Sequence, residues 1–63
     1  MKQMFEEKLQ GRLARVLSTH KSKVEIGGYV EEGDTLVVRC KAGISKYLVV
    51  LKDGELPQVY RRL

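Results

Sequence analysis

One cysteine and one histidine, Cys40 and His20, are the side chains in this sequence whose types suit nucleophilic catalysis. A catalytic thiol needs a base within hydrogen-bond reach and usually a third group to orient that base. Cys40 falls in "TLVVRCK" on the side it shares with Leu36 and Val38, where a cysteine behaves as a small buried hydrophobe. His20 falls in the turn-like "THKSK" and is expected to be exposed. One histidine and one cysteine make neither a metal site nor an internal disulfide. No phosphate-cradling glycine loop or helical metal motif occurs. The sequence reads as that of a non-enzyme, with no cofactor and no metal.

Charge is the other chemical resource. The 63 residues carry a net +4, unevenly placed. "GRLARVLSTHKSK" holds Arg12, Arg15, Lys21 and Lys23 with no acid, and "VYRRL" is basic again. Val24 to Val38 holds Glu25, Glu31, Glu32 and Asp34 with no base. Such polarity suits attraction of a polyanion to one face. It equally suits a solvated surface whose charges keep the protein dispersed.

The elements that must position these residues belong to one domain. A chain this short buries about 60% of its unfolded surface, so association is the expected source of extra stability. No apolar run is long enough to span a bilayer, and "MKQMFEEKLQ" is too charged for a signal peptide. A single thiol suits a reducing, cytoplasmic setting. Met1, Met4, Phe5, Leu9, Leu13, Val16 and Leu17 recur at helical spacing. Gly11 either ends that helix, leaving "RLARVLST" as a strand, or is tolerated within a helix that runs to about Ser18.

From Lys23 onward the period is two. Val24, Ile26, Gly28 and Val30 are placed on one side of a strand, and Glu25, Gly27, Tyr29 and Glu31 on the other. "EEGD", "AGIS" and Asp53-Gly54 are turn signals, and Pro57 puts the last strand at an edge. Glycine in mid-strand permits a sharp bend, so Gly27-Gly28 reads as the corner of a small barrel, with a plain bulge in an open sheet as the other outcome. The expected fold class is mostly β: an SH3-like five-stranded antiparallel barrel after an N-terminal helix. Its single domain places the helix over about 2–11 and strands over about 12–19, 23–31, 35–41, 46–52 and 56–62. The alternative is α+β, a long N-terminal helix on a four-stranded antiparallel sheet.

Val24, Ile26, Gly28, Val30, Asp34 and Leu36 to Val38 resemble, in continuous register, the first motif of the Sm-like family, whose bacterial branch is Hfq. "YLVVLKDGELPQVYRRL" is similar in outline to the family's second motif, with Lys52 in the basic position and Gly54 displaced by Asp53. The resemblance implies a homo-oligomeric ring of five to seven subunits, joined by strand pairing, which would raise the charge to roughly +20 to +28. It implies a partner, single-stranded RNA, bound without catalysis. Lys52, Arg61 and Arg62 would serve one face or the pore, and Arg12 and Arg15 the helix side. Tyr60 and Tyr29 would stack on bases, with Tyr47 assigned to the core. Thr35 and Leu36 follow Asp34 without the family's uridine-holding Asn, so sequence preference would be weak. The rival, which goes with the long helix, is a protein-interaction module dimerising through the helix's apolar stripe.

Overall fold

The structure, a computed structural model, describes residues 2–62, with side chains from Phe5 to Arg62. Met1 and the side chain of Met4, both counted in the helical stripe, lie outside the described set. One helix, α1 (Lys2–Val16), is followed by a single turn of 3₁₀ helix at Lys21–Lys23. Four strands come next: β1 (Val24–Glu32), β2 (Thr35–Ala42), β3 (Ser45–Lys52) and β4 (Gln58–Arg62). They form one antiparallel sheet in the order β1-β2-β3-β4. The chain is mostly β with an N-terminal helix, and the sheet is open.

The five-stranded barrel is therefore corrected, and with it the strand at 12–19. The reason is local. Gly11 sits inside α1, where a Cβ would meet nothing within 4 Å, so its only cost is the entropy of a flexible residue, about 1 kcal/mol. Leu9, Leu13 and Ala14 repay it by burial, with Leu13 fully enclosed. Such a side chain contributes about 1.5–3 kcal/mol. The helix stops later, at Ser18, which has a left-handed φ of 54°. There the Thr19 N–H donates to the Ala14 carbonyl (2.9 Å) and the Ser18 N–H to that of Arg15 (3.2 Å). This is the bonding pattern that satisfies orphan carbonyls at a helix end.

Two-residue turns, Gly33-Asp34 and Gly43-Ile44, join β1 to β2 and β2 to β3. Their first residues take φ of 62° and 64°, as tight hairpins of the type II′ class require. Gly27 and Gly28 make a bulge: Ile26 pairs with Cys40 and Gly28 with Arg39, leaving Gly27 without an opposite residue. The bulge reverses the alternation beyond it. Val24 and Ile26 face the helix, but so then does Tyr29, the cross-strand neighbour of buried Val38, while Val30 turns to solvent and is 63% exposed. Val24, Val38, Cys40, Val49 and Leu51 complete the core beneath α1. Gln10 fastens the helix to the sheet, its Nε2 donating to the Val24 carbonyl at 2.9 Å. β4 lies beyond the helix and is exposed along its whole length.

Candidate nucleic-acid interface

The face of the sheet turned away from α1 carries the site. Pairing registers fix its side chains in rows running across the strands. The row at one end is Glu25, Lys41, Lys46 and Arg62; the next is Gly28, Arg39, Leu48 and Tyr60. Beyond them lie Val30, Val37, Val50 and Gln58, and then Glu32, Thr35 and Lys52. Five cations, Arg39, Lys41, Lys46, Lys52 and Arg62, thus share the face with two carboxylates, Glu25 and Glu32, both on β1. All seven are exposed. Leu48, Val37 and Val50 form a half-buried apolar middle, with Tyr60 standing 52% exposed beside it.

Three cations stand side by side in the end row, Lys41 opposite Lys46 and Lys46 opposite Arg62. Neighbouring strands are about 4.8 Å apart, and like charges placed directly opposite destabilise a sheet. Among the described residues the one ion pair is Lys52 Nζ to Glu55 Oε2, 3.3 Å, half exposed on both sides and so of little energetic weight. The end-row cations are not neutralised by such a pair. With Arg39, Glu25 and the Gly27 backbone they line an open cavity of about 440 Å³.

The bulge shapes this cavity. A Cβ on Gly28 would lie 3.0 Å from Nη2 of Arg39, so the missing side chain is what lets the guanidinium lie across the strand. A planar fork lying there, exposed beside two lysines and a second arginine, matches phosphate oxygens. Tyr60 is oriented by its hydroxyl, which donates to Gln58 Oε1 at 3.0 Å, leaving the ring free to take a base.

Of the residues picked from the sequence, Lys52, Tyr60 and Arg62 come together on this face. Arg61 does not: its cross-strand neighbour is Tyr47, so it lies on the helix side. Tyr29 packs against Phe5 with ring centroids 5.3 Å apart, and its placement as a polar-face stacking residue is corrected. Arg12 sits on α1 at a hollow lined also by Glu31, Asp34 and Asp53, an acidic setting that opposes anion binding. Arg15 lines a helix-side hollow with Lys8 and Arg12. Sequence reasoning missed Arg39, Lys41 and Lys46. The signal was present: alternation through "VVRCK" and "SKYLVV" puts all three opposite the core positions Val38, Cys40 and Val49.

Cys40 is buried, and desolvation pushes its thiol pKa up. The group stays a neutral thiol, the wrong form for a nucleophile. Among the described residues no group of three His, Cys, Asp or Glu side chains converges as a metal site would require. No described helix is long and apolar enough to cross a membrane. No protein-family model, curated protein or solved structure matches the chain.

Proposed function

We propose that the protein binds single-stranded RNA without catalysis, laying the strand across the solvent face of its sheet. The observation that carries this reading is the row Lys41, Lys46 and Arg62, three cations side by side with the single carboxylate of Glu25 at one end, an excess of positive charge that a bound anion would relieve. Phosphates answer that need. Tyr60 and Leu48, one row away, offer a surface for bases, as exposed aromatics on four-stranded sheets do elsewhere. Every base has a π face, so recognition here is tolerant of sequence.

The ring of five to seven subunits was expected from a closed barrel. An open four-stranded sheet supplies no such barrel, and the present reading needs only the face of one chain. The long helix on a four-stranded sheet is the architecture that goes with the rival reading, dimerisation through the helix stripe. What counts against that reading is that Leu9 and Leu13 of the stripe are buried against the chain's own sheet, and what favours it is the exposed ring of Phe5.

Fluorescence anisotropy of labelled single-stranded RNA over a salt series tests the proposal. Neutralising three to four phosphates predicts a slope of about −2 to −3 in log affinity against log salt. Absent binding at low salt, or binding indifferent to salt, would refute it.

A further inference from the structure

The two edges of the sheet differ, and they fit each other. β1 carries Glu25, Glu31 and Glu32 and no base; β4 carries Arg61 and Arg62 and no acid. Each has a neighbouring strand on one side only. Four of the seven exposed large apolar side chains among the described residues lie on the same two strands: Tyr29 and Val30 on β1, Val59 and Tyr60 on β4. Charged edges ordinarily keep sheets apart. Charges of opposite sign on the two edges do the reverse.

We propose that β4 of one copy pairs with β1 of a second copy, joining chains head to tail into a continuous antiparallel sheet. In a four-stranded meander β1 and β4 run in opposite directions, so a second copy added in the same orientation presents its β1 antiparallel to β4. Extending the observed cross-strand rows without stagger puts Arg62 opposite Glu25 of the second copy, an opposite-charge pair on the solvent face. Tyr60 falls opposite the second copy's Gly27-Gly28 bulge, where no side chain stands in the way of its ring. On the helix side Val59 meets Tyr29, two apolar side chains that are each partly exposed in the single chain.

The contact is heterologous, so growth does not stop at two copies. Strand twist of roughly 20–25° per strand turns each successive four-stranded copy by about 80–100°, which gives an open, helical array rather than a flat closed one. The inference goes beyond RNA binding, and its test contains no nucleic acid, so its failure would leave that reading standing.

Light scattering across a concentration series, with Glu25→Arg and Arg62→Glu variants, is the test. For the unmodified protein the weight-average mass rises about twofold or more, without settling at a dimer. Each charge reversal alone sets like charges opposite each other and holds the protein monomeric. Mixing the two variants restores both contacts and the rise in mass. Both substitutions are at exposed positions, and circular dichroism confirms that each variant is folded. A monomer at all concentrations, a fixed dimer, or folded variants that stay monomeric on mixing would overturn the proposal.

Discussion

Replacing Lys46 by Gln moves stability and binding in opposite directions. Lys46 is flanked on the solvent face by Lys41 and Arg62. Each like-charge cross-strand pair costs about 0.2–1 kcal/mol, and exposure keeps both at the low end of that range. Removing the central charge relieves two such pairs at once, a gain of about 0.5–1 kcal/mol. In a domain this small that corresponds to a rise in Tm of about 2–8 °C. The same change removes one phosphate contact. Losing one released counterion reduces the salt slope by about 0.7, which at 0.1 M salt is about a fivefold loss of affinity. Thermal denaturation followed by circular dichroism reads the first effect, and anisotropy with labelled RNA over a salt series reads the second. Unchanged affinity with the predicted stabilisation would mean that the row is only a solvated surface. A fall in Tm would mean that Lys46 is structural, and the argument from repulsion would fail.

Three more outcomes are expected. Ser18→Gly removes a side chain from a left-handed position, and Gly11→Ala adds one to open space in α1; each stabilises by about 0.5–1 kcal/mol in urea unfolding, whereas a helix ending at Gly11 would gain from neither. Tyr60→Ala weakens RNA binding by about 5- to 150-fold, the loss of one base stack, while Tyr29→Ala leaves binding intact and lowers stability through its contact with Phe5. Cys40, with its thiol pKa raised by burial, resists a thiol-specific reagent at pH 8 until denaturant is added; because the thiolate is disfavoured in the fold, stability falls as pH climbs past the unfolded thiol's pKa, and rapid labelling of the native protein would contradict this.

Strands were the most legible part of the sequence. Expected spans of 23–31, 35–41 and 46–52 compare with Val24–Glu32, Thr35–Ala42 and Ser45–Lys52, because turn glycines bracket alternating runs. Two failures have physical causes. Gly11 was read as a possible stop because its intrinsic cost is visible in the sequence, whereas the burial of Leu13 and Ala14 that outweighs it depends on tertiary packing. Gly27-Gly28 was read as a barrel corner. A bulge and a corner use the same residues, and only cross-strand pairing tells which forms.

That single inserted residue also governs how the site could be read. It exchanged the faces of Tyr29 and Val30, so a stacking role assigned by strict alternation went to the wrong side. Lys52, Tyr60 and Arg62 were found because their strands are regular. Arg39, Lys41 and Lys46 form no basic run along the chain; their cluster exists only across paired strands.

Amide chemical-shift mapping of the isotope-labelled protein during titration with a short single-stranded RNA addresses the solvent face directly. Shifts should centre on Arg39, Lys41, Lys46, Leu48, Tyr60 and Arg62 and leave Arg12 and Arg15 still. Shifts centred on α1, with the sheet face unmoved, would show that the binding surface has been assigned to the wrong side of the protein.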